Sequence, residues 1–82
     1  MNLQLITPES AIFKGEVSSV TLPGEMGQLT VLPGHTVLLA KLASGKAKFT
    51  AKEGEKVYTL GPGTLEVSND KVTVLVASAT AQ

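Results

Sequence analysis

Apolar and polar side chains alternate with a period of two along most of the chain. Between Lys46 and Lys52, the lysines and Thr50 fall on one side, whereas Ala47, Phe49 and Ala51 fall on the other. Such alternation is typical of a half-buried β-strand, because successive side chains point to opposite faces. The same pattern recurs at four pairs: Leu3 and Leu5, Val20 and Leu22, Leu29 and Val31, and Leu65 and Val67. It predicts a fold built from β-strands, with no convincing helix.

Turn-forming residues separate these segments at short intervals. The chain has 8 glycines and 4 prolines, among them Pro23-Gly24, Pro33-Gly34 and Gly61-Pro62-Gly63. Frequent turn signals between short β-rich segments indicate an antiparallel sandwich or barrel. A chain of 82 residues with no linker is expected to form a single domain over residues 1–82.

One hairpin can be assigned a register from the sequence. A two-residue turn at Asn69-Asp70 pairs Val67 with Val72 and Leu65 with Val74. All four apolar side chains then lie on one face, so the turn and the hydrophobic pattern agree.

Two stretches are more apolar than a half-buried strand requires. They are Val37-Leu38-Leu39-Ala40 and the segment 72–77, which is interrupted only by Thr73. Either both faces of these strands are covered within the protein, or one face meets another protein. We favour the first alternative, because the short loops of a sandwich often cover such strands.

The composition excludes several functional classes. The formal net charge is zero, and the 7 basic residues are all lysines, so the basic stripe and arginine forks of a nucleic-acid-binding protein are missing. With no cysteine there can be no disulfide or thiolate metal site. The chain has no apolar run long enough to span a membrane and no signal-peptide pattern at its start, so we expect a soluble, intracellular protein.

No recognisable catalytic or metal-binding pattern surrounds the single histidine, His35. The chain has serines and acids but no nucleophile-elbow motif, and one histidine without cysteine is a poor basis for a zinc site. We expect no catalysis, no metal and no cofactor. A histidine that caps the turn after Pro33-Gly34 is the simpler interpretation.

The glycines of Gly24-Glu25-Met26-Gly27 do not form a phosphate-binding loop. The segment lacks the G-x-G-x-x-G order and the Lys-Ser/Thr ending of such loops, and Glu25 would repel a phosphate. A tight turn is predicted instead. Lys71, which follows the Asn69-Asp70 turn, lacks the flanking residues that mark a lysine-linked cofactor in small all-β carrier domains.

The glycine and proline motifs together resemble the epsilon subunit of F-type ATP synthases. The resemblance is carried by Leu22-Pro23-Gly24, by Gly27-x-Leu29-x-Val31-x-Pro33-Gly34-His35 and by Gly61-x-Gly63-x-Leu65-Glu66-Val67. It extends over essentially the whole chain. It implies an all-β fold, an antiparallel β-sandwich of about ten short strands in two sheets.

The resemblance also implies a non-catalytic role in the rotor of a proton-translocating synthase. The family's epsilon subunit sits at the foot of the central stalk, where it binds the gamma subunit and rests on the polar loops of the membrane c-ring. A peripheral location at the cytoplasmic face of a bacterial inner membrane, or its equivalent, is implied, with no lipid insertion and no stable homo-oligomer. The alternative is a free-standing all-β carrier or ligand-binding module.

Six residues are assigned contacts by the resemblance. The c-ring contact maps onto Glu25, Met26, Gly27 and Gln28, and the gamma contact maps onto Thr7 and His35. Many family members have an acid at the position of Gln28, so either Gln28 or Glu25 is the polar residue that meets the ring. For Met26 the alternative is a side chain tucked onto the sandwich; we favour contact, because methionine adapts well to contact surfaces.

Family members commonly continue into a C-terminal two-helix hairpin that can inhibit ATP hydrolysis and in some members binds ATP. The sequence ends at Gln82, before any such hairpin. If Gln82 is the natural end, we expect neither function from this chain; the alternative is that residues 1–82 are the first domain of a longer protein.

Overall fold

Nine β-strands account for most of the computed structural model, which describes residues 1–34 and 37–82. The strands are β1 (Asn2–Ile6), β2 (Ala11–Gly24), β3 (Gly27–Val31), β4 (Leu38–Leu42), β5 (Gly45–Ala51), β6 (Gly54–Leu60), β7 (Gly63–Ser68), β8 (Lys71–Val76) and β9 (Ala79–Ala81). The all-β prediction is confirmed. Within the described ranges, no helix is long and apolar enough to cross a membrane.

The strands form two layers that share the 14-residue strand β2. Its first half pairs with β1, and its second half pairs with β3 and β5. Layer 1 has the order β2–β1–β8–β7–β4, and layer 2 has the order β3–β2–β5–β6–β9. The register of β2 against β5 shifts between Val17 and Ser19, and such a bulge bends a strand. Because β2 belongs to both layers, nine strands supply the predicted sandwich of about ten.

One pairing departs from the predicted antiparallel arrangement, since β1 and β8 run parallel, with Leu3 opposite Val72 and Leu5 opposite Val74. Parallel neighbours cannot be joined by a hairpin and need a long connection. Here the connection is the whole of β2 to β7, which brings strands from the two ends of the sequence together.

The hairpin between β7 and β8 has the predicted register. Val67 lies opposite Val72 and Leu65 opposite Val74, and all four side chains are buried. Asn69 and Asp70 have positive φ angles of 50° and 63°. Two consecutive positive φ angles define a type I′ turn, whose twist matches that of the flanking strands.

The core lies between the two layers and contains the predicted apolar pairs. Phe13 from layer 1 meets Phe49 from layer 2 with ring centroids 4.6 Å apart, and Tyr58 stacks on Phe49 at 5.4 Å. The internal void beside Phe49 measures only about 10 Å³. The void is at the lower limit for one water molecule and its lining is apolar, so the two layers are closely packed.

The two strongly apolar stretches are covered on one face only. Val72 and Val74 are buried, and Leu38 and Ala40 are half-buried against the core, but the outward-pointing Leu39 and Leu75 are 74% and 48% exposed. Our expectation that both faces are covered within the protein is therefore wrong for the described residues. The loops that the structure describes join strand ends and leave Leu39 and Leu75 uncovered.

Candidate partner-contact surfaces

The predicted c-ring segment forms the exposed turn between β2 and β3. Gly24 lies opposite Gly27, which leaves Glu25 and Met26 as the two residues of the turn. Gly27 has a φ angle of 126°, a conformation that other residues rarely adopt. Met26 is 99% exposed, so its side chain is not tucked onto the sandwich. The geometry leaves Met26 free for contact with a partner.

Two backbone hydrogen bonds anchor this turn to β4. The Glu25 N–H donates to the Lys41 carbonyl at 3.0 Å, and the Ala43 N–H donates to the Pro23 carbonyl at 2.8 Å. The turn therefore has a fixed base and an exposed tip. Such a base holds a contact residue in place while its side chain stays accessible.

Glu25 and Gln28 are both exposed, and they lie on different parts of the hairpin. Glu25 is a turn residue, whereas Gln28 lies on β3 opposite Pro23. Both are available to a partner. The geometry does not favour one of them as the polar contact.

Thr7, a predicted gamma contact, is buried at 6% exposure. Its N–H and its hydroxyl both donate to the Ser10 carbonyl, at 2.9 and 3.2 Å. The side chain thus closes the loop between β1 and β2. The residues that this loop presents to solvent are Pro8, Glu9 and Ser10.

Thr7 follows β1, and the β2–β3 turn lies beside the last residue of β4, at the same end of layer 1. One row of paired residues runs from Ile6 through Leu75 and Thr64 to Lys41, which is next to Leu42, the residue opposite Gly24. Four strand spacings separate Ile6 from Gly24 along this row, a path of about 19 Å through the sheet. One partner of ordinary size can contact both places.

The other predicted gamma contact, His35, lies outside the described residues. The described residues that flank it come after the last residue of β3, Val31, and before the first residue of β4, Leu38. Leu38 lies opposite Val67, at the end of layer 1 remote from Gly63. The described flanks of His35 therefore lie at the other end of the sandwich from Thr7 and Met26.

The outward face of layer 1 carries exposed apolar side chains. One row across the sheet contains Lys41, Thr64, Leu75 and Ile6, and the next contains Leu39. Two shallow depressions open on this face. One, of about 370 Å³, is lined in part by Ile6 and Leu75, and the other, of about 360 Å³, by Leu39 and Thr64.

The outward face of layer 2 is more polar. Thr30, Thr21, Lys48 and Val57 follow one another across the sheet, and Lys48 lies 3.5 Å from the carboxylate of Glu55. An exposed ion pair of this kind contributes little stability but keeps a surface hydrated. The two outward faces thus differ in character, which the alternation pattern alone did not predict.

The amino terminus forms a cluster of charges that sequence reasoning missed. The Met1 ammonium lies 3.0 Å from Glu16 Oε2 and 3.7 Å from Asp70 Oδ2, and it donates to the Val17 carbonyl at 3.1 Å. The hydrogen bond to Glu16 raises the pKa of this ammonium above its ordinary value of 8.0; burial opposes the shift, and the charge of Asp70 adds to it. These residues are distant in sequence, so no local motif marks them.

The described ranges contain no group of three histidine, cysteine or carboxylate residues placed to hold a metal ion. Their exposed features are a turn and two sheet faces, of which the face of layer 1 carries Leu39 and Leu75 among polar residues such as Glu66. These are means of contact with another macromolecule.

The chain matches one protein family along its full length. Residues 1–82 match the family model described as ATP synthase, Delta/Epsilon chain, beta-sandwich domain. ATP synthase epsilon chains of Bordetella parapertussis and of a Synechococcus strain are 42% and 43% identical over 80 and 79 residues, which is 96% of this chain in both cases. The chain spans 57% and 58% of the lengths of these relatives.

Solved structures show the same fold. A chain of the Euglena gracilis mitochondrial ATP synthase, in an OSCP/F1/c-ring assembly, superposes with a TM-score of 0.89 at 26% identity, over 96% of this chain and 51% of that chain. A chain of the Tetrahymena thermophila mitochondrial ATP synthase, in a central stalk and c-ring structure, gives a TM-score of 0.82 at 17% identity, over 96% and 64%. Sequence and fold agree, and this chain belongs to the family of the ATP synthase delta/epsilon chain β-sandwich domain.

Proposed function

We propose that this chain acts, as a single domain, in the central stalk of an F-type ATP synthase, where it joins the gamma subunit to the membrane c-ring. The observation that carries the proposal is the 42% identity to an ATP synthase epsilon chain over 96% of the chain. Its role is mechanical and non-catalytic: it transmits torque that arises from proton flow through the ring. It is held peripherally at the membrane, at its cytoplasmic face in a bacterium, by the complex rather than by lipid insertion.

The β2–β3 turn is the proposed c-ring contact. Glu25, Met26, Gly27 and Gln28 are all exposed there, and the base of the turn is bonded to β4. A polar loop of the ring can meet the acid and the amide, while Met26 adapts its shape to the surface beside them.

The outward face of layer 1 is the proposed gamma contact. It carries the exposed Leu39 and Leu75, whereas the corresponding face of layer 2 carries threonines and Lys48. Apolar surface that is exposed in an isolated subunit is stabilised when a partner covers it. The loop closed by Thr7 borders this face, and His35 remains a predicted part of the contact.

Binding to gamma tests the choice of face. Leu39→Lys is expected to weaken binding to a purified gamma subunit at least about tenfold, because a lysine would have to be desolvated in the contact. Thr30→Lys places the same charge on the outward face of layer 2 and should leave binding unchanged. Equal weakening by the two variants, or failure of the unaltered chain to bind gamma at low salt, would contradict the proposal.

Proton pumping in a reconstituted synthase tests the turn and the histidine. Met26→Glu and His35→Glu are each expected to reduce ATP-driven pumping more than they reduce the melting temperature of the isolated chain. Thr80→Glu is the matched control, because it adds the same charge at an exposed residue of β9, at the edge of layer 2 opposite β3. If pumping and melting temperature fell in parallel, these positions would be structural.

Moving the charge from position 25 to position 28 tests whether Glu25 or Gln28 makes the polar contact with the ring. If Glu25 supplies the charge that meets the ring, Glu25→Gln reduces pumping and the added change Gln28→Glu restores it. If Gln28 alone makes the contact, Glu25→Gln has no effect. A mass measurement of the native chain tests the carrier alternative, because a cofactor attached to a lysine would add its own mass.

A further inference from the structure

We propose that, in a chain whose first residue is Met1, the α-amino group is a structural cation of the sandwich, and that acylation of this group would open the end of layer 1 where β1 begins. The inference goes beyond the proposed function and does not depend on it. It rests on the contacts that this one group makes with β2 and with the turn between β7 and β8.

Met1 extends the pairing of β1 with β2 by one residue. Its ammonium donates to the Val17 carbonyl at 3.1 Å, and the Val17 N–H donates to the Met1 carbonyl at 2.9 Å. Two residues that exchange both bonds form a hydrogen-bonded antiparallel pair. The side chain of Met1 is buried in the core.

The ammonium has a carboxylate partner on each side. Glu16 Oε2, on β2, is 3.0 Å away and accepts a hydrogen bond, and Asp70 Oδ2, in the β7–β8 turn, is 3.7 Å away. Glu16 and the Val17 carbonyl thus accept two of the three ammonium donors, and Asp70 makes an ionic contact that is too long for a hydrogen bond. The Asn2 N–H adds a bond to the Asp70 carbonyl at 2.9 Å. One charged group therefore joins three parts of layer 1.

A formyl or acetyl group on this nitrogen would remove its positive charge and leave one N–H. Glu16 and Asp70 would then lose the cation that they share. An added acyl group also needs space beside Met1, whose own atoms are almost fully buried. A residue added before Met1 would have the same two effects.

The experiment compares synthetic chains of 82 residues that differ only at the α-nitrogen. One chain has the free amine, one is Nα-acetylated, and one carries desamino-methionine, which removes the amine without adding bulk. Hydrogen exchange of the Val17 and Asn2 amides reports on this end of layer 1, and amides of β6 serve as the internal control.

The acetylated and desamino chains are both expected to exchange the Val17 and Asn2 amides about five- to tenfold faster at pH 7, the effect of a charge-assisted hydrogen bond partly screened by solvent. The effect should be much smaller in chains that also carry Glu16→Gln and Asp70→Asn, because the carboxylate partners are then absent. Unchanged exchange in the acetylated chain would overturn the proposal. So would an equal acceleration in both backgrounds, which would show that the carboxylates play no part.

Discussion

Gly24 and Leu42 lie opposite each other where the last residue of β2 meets the last residue of β4. At this point the two layers join and the β2–β3 turn begins. A side chain on Gly24 would collide with the Gly27 carbonyl, and its Cβ would lie 2.9 Å from Leu29 Cγ. The shape of the turn proposed to contact the ring therefore depends on Gly24, the residue just before the exposed Glu25 and Met26.

Gly24→Ala is expected to reduce the free energy of unfolding by about 1–3 kcal/mol, the usual cost of overpacking a closely packed site. Urea denaturation measures this loss. Gly15→Ala is the control, since its added Cβ would meet the far end of the Phe13 ring at 3.3 Å, which can move. Equal losses in the two variants would contradict the close approach at Gly24.

Truncation of a buried apolar side chain should reduce the free energy of unfolding much more than truncation of an exposed one. Phe49→Ala removes a buried ring that contacts Phe13 and Tyr58, and it should cost about 3–5 kcal/mol. Leu39→Ala removes an exposed side chain and should change stability by less than about 0.5 kcal/mol in the isolated chain. Chemical denaturation of both variants checks this, and a large loss for Leu39→Ala would show that its face is covered.

The stability of the β7–β8 turn should depend on how readily the residue at position 69 adopts a positive φ angle. Asn69→Val is expected to cost about 1–2 kcal/mol, because a β-branched residue is disfavoured at a φ angle of 50°. Asn69→Gly should be neutral or slightly stabilising, since glycine adopts this conformation freely. Thermal unfolding of the two variants, each compared with the unaltered chain, measures the difference. Similar melting temperatures for both variants would rule out the type I′ turn.

Stability should fall at alkaline pH as the Met1 ammonium loses its proton. Its pKa is raised in the folded chain above 8.0, so the folded state holds this proton more tightly than the unfolded state. The stabilisation is fully present below about pH 8 and is lost as the pH rises through the folded pKa. Glu16 and Asp70 are the charged partners that provide it.

Urea denaturation between pH 7 and pH 9.5 measures this loss, with the Nα-acetylated chain as the control. The acetylated chain has no amine to titrate, so its stability should be flatter over this range. Parallel pH profiles for the two chains would assign the alkaline loss to other groups.

The alternation of side chains was enough to predict which residues face the core. Phe49, Leu65 and Val67 are all buried as the period of two requires, and the Asn69-Asp70 turn has the predicted register. These features depend on neighbours within a few residues. A local pattern can therefore specify them.

The exposed turn at Met26 was also predictable, because a pair of glycines flanks it. Its assignment as a contact came from the family resemblance. The residues alone did not supply it.

By itself, the sequence determined the strands, their buried faces and the tight turns, since each follows from chain geometry over a few residues. Only the tertiary structure decided that β2 serves both layers, that β1 pairs in parallel with β8, and that Leu39 and Leu75 remain exposed. It also decided that the Met1 ammonium lies between Glu16 and Asp70. The physical reason is that these relationships join residues far apart in the chain, and their contacts exist only once the two layers have packed together.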